Sequence, residues 1–166
     1  MPKFDRHRLV FGLYLLVLIA AAVLITGHFN LPAWPAFMAM VFFFVEDMDP
    51  KKVPHILVGG MFGIGCILLA APTIGALGPI IGVEYATLVY ILGIVYAIVA
   101  FGEMVPLLFN NFAFMYLTVT GIAVQLPAPN PYLWMAITGI GGTLLIAGVI
   151  AIGKLMRTPA TSPPVT

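Results

Sequence analysis

Long apolar runs without charge constrain this chain more than any other feature. They cover residues 9–27, 56–71, 85–101, 112–124 and 132–153. Most of them approach the roughly 20 residues that a helix needs to cross a hydrocarbon core of about 30 Å. Because the runs are continuously apolar and do not alternate, they predict spanning helices rather than the strands of a barrel.

The composition also indicates an integral membrane protein. Hydrophobic residues make up 62% of the chain and charged residues only 8%, whereas an average soluble domain has about 25% charged residues. A soluble fold of this size needs far more charge to cover its surface. The lipid bilayer is therefore the first predicted partner, and the net charge of +1 gives no indication of nucleic-acid binding.

Hydropathy and turn residues divide the chain into six predicted spans, at residues 9–26, 33–45, 55–71, 85–101, 107–124 and 132–153. At about 1.5 Å per residue, the second span reaches only about 20 Å. The Gly- and Pro-containing segment 72–83 and the Pro-rich segment 125–131 are predicted loops. The fold class is thus all-α with six transmembrane helices.

Basic residues predict the direction of these spans. With six spans, all seven Lys and Arg residues fall on one side of the membrane, and that side is expected to be cytoplasmic. Both termini then lie in the cytoplasm, and the predicted location is the inner (cytoplasmic) membrane. The basic residues are Lys3, Arg6 and Arg8 before the first span, Lys51 and Lys52 after the second, and Lys154 and Arg157 after the last.

The second half of the chain resembles the first half displaced by 77 residues. Residues 36–38 and 113–115 both read Ala-Phe-Met, and Pro50 and Pro54 match Pro127 and Pro131. Because each half holds three spans, real repeats would be inverted in the membrane, as in many transporters and channels. The alternative is that any two apolar hairpins resemble each other.

The repeat divides the chain into four segments. Residues 1–8 are a cytoplasmic N-terminus, 9–76 the first three-helix repeat and 77–153 the second. Residues 154–166 are rich in Pro, Ser and Thr and are predicted to form a disordered cytoplasmic tail.

The starts of the second and fifth spans carry the strongest functional signal. Pro35 suits the first turn of a helix, and Asn110 or Asn111 suits a helix cap. In an inverted pair, two helix N-termini would enter from opposite faces and offer N–H groups to a small polar or anionic solute. The alternative is a pair of ordinary short spans with capped ends.

These two spans supply a candidate transport path. Aromatic rings would set its width, while amides and hydroxyls would replace the water around a solute. For Asn110 and Asn111, capping at the cytoplasmic interface is the alternative. The candidate path residues are Trp34, Phe37, Asn110, Asn111, Phe114, Tyr116 and Thr118.

Charged residues outside the termini suggest little chemistry. Glu103 is a candidate for proton coupling if it is drawn into the bundle, and otherwise a solvated turn residue. The acidic residues Glu46, Asp47 and Asp49 are predicted to form a solvated loop with local charge pairing to nearby lysines, rather than a metal site. No catalytic grouping, metal site or cofactor motif is found, so we do not expect an enzyme.

At Trp34-Pro35-Ala36-Phe37 and Phe109-Asn110-Asn111-Phe112-Ala113-Phe114, the chain resembles the bacterial inner-membrane domain-of-unknown-function family 1097. The resemblance extends over most of residues 9–153. Members of the family have Trp-x-x-Phe before one short span and Phe-x-Pro-Gly-x-Phe before the other, and this chain has Asn-Asn in place of Pro-Gly. The resemblance implies an inner-membrane location and a transport role, but no substrate.

The sequence therefore supports two hypotheses. The first is a channel or transporter for a small polar solute of the urea or amide, short-chain acid or small-anion class, assembled as a homo-oligomer, with a trimer as our guess. The glycines at 59 and 63 and those of the sixth span would permit close helix contacts within or between protomers. The second is a non-transporting scaffold or accessory subunit of a larger membrane complex.

Overall fold

The structure, a computed structural model, describes residues 6–156, and these residues form six helices with no strand among them. The predicted all-α class is confirmed for this part of the chain, while Lys3, Arg157 and most of the predicted tail lie outside it. The helices are α1 (Arg6–His28), α2 (Trp34–Val45), α3 (Val53–Ile81), α4 (Val83–Ala100), α5 (Asn111–Ala123) and α6 (Pro131–Met156).

The helices fall into two length classes. By length and composition, α1, α3, α4 and α6 are each long and apolar enough to cross a membrane. The other two, α2 and α5, have 12 and 13 residues. At about 1.5 Å per residue they span about 18 to 20 Å, less than a hydrocarbon core of about 30 Å.

The predicted loop at residues 72–83 is wrong, because α3 continues through Pro72 and Pro79 to Ile81. Proline within a helix removes one backbone hydrogen bond but is tolerated in apolar helices, where other groups satisfy the freed carbonyls. The chain turns only at Gly82, whose φ of 88° suits glycine and whose amide donates to the Gly78 carbonyl at 2.8 Å.

The predicted start of the fifth span at residue 107 is also wrong. Residues 101–110 form a series of turns, and the helix begins at Asn111. Pro106 within this segment and the cap at Asn110 explain the later start, since both residues favour a helix boundary.

Glycines bring the short helices close to the long ones. At Gly63 in α3, an added Cβ would collide with the carbonyl of Ala113 in α5. At Gly142 in α6, it would lie 2.8 Å from the Cβ of Ala39 in α2. These glycine faces therefore pack within the protomer, with α5 on α3 and α2 on α6.

Contacts between α3 and α6 establish that these two long helices run antiparallel. Later residues of α3 meet earlier residues of α6. The close approaches are Leu57 to Gly142, Met61 to Gly139 and Gly65 to Met135.

Each short helix runs parallel to the long helix on which it packs. Along α2 and α6, Trp34 contacts Trp134 and Ala36 approaches Gly141. Along α5 and α3, Asn110 approaches Gly59 and, further along, Gly121 approaches Ile67. In α4, Val83 approaches Gly78 of α3 and Tyr90 donates to the carbonyl of Cys66, so α4 runs antiparallel to α3. Consecutive helices from α2 to α6 therefore alternate in direction.

The outer helices leave most of their side chains exposed. No residue of α1 is buried, although Leu18 contacts α6 at Gly148. In α4 only Ala86 and Ile98 are buried. Such long apolar faces are compatible with contact with a lipid bilayer.

Candidate functional site at the crossing of the two short helices

The start of α2 is stabilised by packing. Pro35 occupies its first turn, as predicted, and Ala33 at the N-cap has no side chain that could accept from the first amides. The Trp34 ring packs edge-on against Trp134 of α6, with ring centroids 5.4 Å apart.

The start of α5 is stabilised by hydrogen bonds from Asn110. Its Oδ1 accepts from the Ala113 amide at 2.9 Å, which confirms the predicted cap. Its Nδ2 donates to the carbonyls of Pro106 and Leu107 and, at 3.2 Å, to that of His55 in α3. This amide is thus fully engaged in fixing α5 to α3.

Tyr116 joins the two short helices at their crossing. Its fully buried hydroxyl donates to the Pro35 carbonyl at 2.6 Å. Further along α2, Phe42 packs against the rings of Phe112 and Tyr116, at centroid distances of 5.3 and 5.7 Å. Because later residues of α2 meet earlier residues of α5, the two short helices run antiparallel.

A groove with a volume of about 580 Å³ lies along the outer side of this crossing. Four of the seven predicted path residues meet there, two from each short helix. The lining residues are Trp34, Phe37, Met38, Val41, Phe42, Phe114, Met115, Thr118 and Val119.

The groove is almost entirely apolar. Its one side-chain hydroxyl, on Thr118, donates to the Phe114 carbonyl at 2.9 Å. Since transferring an ion from water into such surroundings is costly, the groove suits a neutral or apolar molecule better than an ion.

Three predicted path residues lie outside the groove. Asn110 caps α5, Asn111 is exposed at the first residue of α5, and Tyr116 points into the interior. Glu103, the candidate for proton coupling, is exposed in the turn after α4.

Five groove residues were not among the predicted path residues: Met38, Val41, Phe42, Met115 and Val119. Helical spacing could have found them, because residues 34, 37, 38 and 41 share one face of a helix. The predicted repeat indicates the same groove residues, since residues 37, 38, 41 and 42 correspond to residues 114, 115, 118 and 119 when displaced by 77.

The acidic loop between α2 and α3 is held by local pairing, as predicted. Lys52 Nζ lies 3.4 Å from Glu46 Oε2, and Asp49 accepts from the Lys51 amide at 3.0 Å. Among residues 6–156, no three His, Cys, Asp or Glu residues are grouped to hold a metal ion.

Comparison of the chain with protein-family models, with curated proteins and with solved structures finds no match in any of the three. The resemblance to family 1097 therefore stays a prediction based on the segments that begin α2 and α5.

Proposed function

We propose that this chain is a six-span membrane protein built as a 3+3 inverted repeat of residues 9–76 and 77–153. The alternating directions of successive helices support six crossings. The helices α3 and α6, which hold the same place in the two halves, run antiparallel, and so do α2 and α5. Antiparallel partners are what inversion in the membrane requires.

Residues of the two short helices that are displaced by 77 both pack on glycines, although those glycines are not themselves displaced by 77, and this supports the repeat at the level of helix packing. Two such pairs pack on glycines of the long helix from the other half. Ala36 contacts Gly141, and its counterpart Ala113 contacts Gly63. Ala39 contacts Gly142, and its counterpart Tyr116 contacts Gly60.

The helix directions support a common side for both ends of the described chain. Phe11 near the start of α1 packs against Phe44 at the end of α2, just before α3. The start of α1, the start of α3 and the end of α6 thus lie at one end of the bundle, and these regions carry Arg6, Arg8, Lys51, Lys52 and Lys154. The bias of basic residues towards the cytoplasm favours a cytoplasmic orientation for that end, in the inner membrane.

For the function, we propose a channel or transporter for a small polar solute. The observation that carries this proposal is the groove, which lies where two short antiparallel helices cross and is lined by four pairs of equivalent residues. Sites at the interface of inverted repeats, formed by shortened helices near the bilayer midplane, are typical of transporters.

The apolar lining of the groove favours neutral members of the predicted solute classes. A urea-like amide or a protonated short-chain acid loses less hydration energy in this groove than an anion does. At the start of α5, an anion would compete with Asn110, whose Oδ1 already accepts from the Ala113 amide.

We further propose that the working unit is a homo-oligomer, with a trimer as the first assembly to test. The groove opens along the side of the protomer, where Val41, Phe114 and Met115 are each about half exposed. A second copy that covers this side would turn an open groove into an enclosed path.

A liposome flux assay tests the transport function. The purified full chain is reconstituted and its permeability to urea, short-chain acids, ammonia and simple ions is compared with protein-free vesicles. We expect protein-dependent flux of a neutral solute and little flux of ions. If none of these solutes shows protein-dependent flux, the transport function is refuted.

Two variants of α5 locate the path. Thr118→Trp fills the groove and should reduce flux at least tenfold. Ile122→Trp places the same ring on an exposed residue of the same helix outside the groove lining, and should leave flux within twofold of the unchanged protein. Equal effects of the two variants would exclude this groove as the path.

A non-transporting scaffold or accessory subunit is the second candidate, favoured by the apolar lining and by the structural use of Asn110. It predicts that the chain co-purifies with a different membrane protein and that Thr118→Trp breaks this association. A purified chain that is fully dispersed from other proteins and still conducts a solute would refute it.

A further inference from the structure

Thr120 differs from the other threonines of residues 6–156. The hydroxyls of the other six each donate to the carbonyl four residues earlier, as is usual in apolar helices. The Thr120 side chain is fully buried in α5, and its hydroxyl has no hydrogen-bond partner among the described protein groups. The six are Thr26, Thr73, Thr87, Thr118, Thr138 and Thr143.

Other polar groups are buried near Thr120 on the same face of α5. Tyr116 lies four residues earlier on the same face of α5, and its hydroxyl donates to the Pro35 carbonyl. This hydroxyl also lies near Thr138 of α6 and Ala39 of α2. Groups from α2, α5 and α6 thus converge one helical turn from Thr120.

The backbone of α6 is irregular at this level. Thr138 lies in a π-helical turn, Ile137–Gly141, and its fully buried hydroxyl donates to the Trp134 carbonyl at 2.9 Å. Single π-helical turns inside α-helices widen the helix locally and occur often at functional sites.

We propose that Thr120 binds one small neutral molecule inside the bundle, next to Tyr116 and Thr138. The Thr120 hydroxyl donates to this molecule, so the ligand must carry a hydrogen-bond acceptor. It is neutral, because Thr120 and Thr138 are the buried polar residues of the described chain and no charged side chain of residues 6–156 is fully buried. Water and a small solute such as ammonia share this chemistry.

The direction of the Tm change in a variant of Thr120 tests this site. In Thr120→Val, a methyl group replaces the hydroxyl at almost unchanged volume. If a bound molecule satisfies the hydroxyl, its loss should lower the Tm of the full chain by roughly 2 to 6 °C. If the hydroxyl is simply unsatisfied in a dry core, removing it should raise the Tm, and that result would overturn the proposal.

Two further variants provide controls. Thr118→Val removes a hydroxyl that is already bonded to its own helix and lies on the exposed side of α5, so its Tm should change by less than about 1 °C. Thr120→Ser keeps the donor and should retain more of the Tm than Thr120→Val. A serine variant no more stable than the valine variant would contradict hydroxyl binding.

The flux assay separates the two sources of the ligand and is independent of the Tm test. If the ligand is a transported solute, Thr120→Val changes the flux of that solute at least threefold more than Thr143→Val does, at an exposed threonine of α6 outside the groove. If it is a fixed water, flux is unchanged while the Tm still falls. If the protein shows no flux at all, the transport function is refuted, but the Tm change in Thr120→Val still tests the binding site.

Discussion

The two short helices hold equivalent places in the chain, yet their first turns are stabilised by different physics. The start of α5 depends on hydrogen bonds, since Asn110 engages four backbone groups and reaches α3 through His55. The start of α2 depends on packing, through Trp34 on Trp134 and Ala36 on Gly141. Two short helices of one bundle are therefore fixed by two different means.

The space beside the start of α2 also differs from the space beside the start of α5. A cavity of about 520 Å³ separates α1 from the start of α2 and from α6. At the equivalent place in the second half, turns after α4 fill the space, and Phe109 packs between Phe101 and Phe62 with ring centroids 5.6 and 5.0 Å away. The second half is thus the more tightly fixed of the two.

The largest expected effect is at the α3–α5 contact. In Gly63→Ala the new Cβ meets backbone atoms of Ala113 and Leu117, which cannot rotate away. We expect a loss of about 3 kcal/mol in stability from overpacking, measured by unfolding in detergent. The counterpart at the α2–α6 contact, Gly141→Ala, meets the Ala36 Cβ at 3.0 Å and should lose less.

A neutral control is Gly75→Ala, because nothing lies within 4 Å of a Cβ at that position of α3. It should gain up to about 1 kcal/mol from helix propensity. If Gly141→Ala is more damaging than Gly63→Ala, the α3–α5 contact is not tighter than the α2–α6 contact.

Removing the cap of α5 should have the next largest effect. In Asn110→Ala the Ala113 amide and the His55 carbonyl both lose a partner, and we expect a loss of about 2 kcal/mol. Asn130→Ala removes an exposed cap of α6 with a single bond to Leu133 and should lose about half as much. Equal losses would mean that the contact with α3 contributes nothing.

The hydrogen bond from Tyr116 to Pro35, which links the two halves, should contribute less to stability. Tyr116→Phe leaves the packing in place but removes the bond to the Pro35 carbonyl, for an expected loss of about 1 kcal/mol. Tyr96→Phe, at an exposed residue of α4, should have no measurable effect. Hydrogen exchange should show faster opening at the start of α2 than at the start of α5 in Tyr116→Phe, because α2 has no cap.

The smallest effect is expected in the charged loop, which occurs only in the first half. Lys52→Gln removes the pair with Glu46, whose two side chains are 48% and 29% exposed. An exposed pair contributes about 0 to 0.5 kcal/mol and is screened by salt. A loss above 1 kcal/mol, or one that high salt does not reduce, would show that this loop stabilises the first half more than its exposure indicates.

Local chemistry made part of this structure predictable. The cap at Asn110 and the proline in the first turn of α2 follow from which amides a helix end leaves free. Long apolar runs gave the approximate positions of α1, α4 and α6. The boundary of α3 was missed because proline and glycine ordinarily break helices, whereas here the surrounding apolar helix continues past Pro72 and Pro79.

The groove was only partly predictable, because a side chain's direction depends on which helix its own helix packs against. Tyr116 was expected in the path, but its close approach to Gly60 turns it inward. Asn110 was expected either in the path or at a cap, and only the nearby His55 carbonyl decides between them. The orphaned Thr120 hydroxyl gives no signal in the sequence at all.

The single residue between α3 and α4 limits how this protein can be altered or labelled. Gly82 is the whole connection, and an added Cβ at Gly78 would lie 3.3 Å from Val83 on the far side of the turn. An epitope tag or fluorescent domain inserted there would have to separate two packed helix ends. Reporter insertions belong instead in the turns of residues 124–130, where the backbone is already irregular.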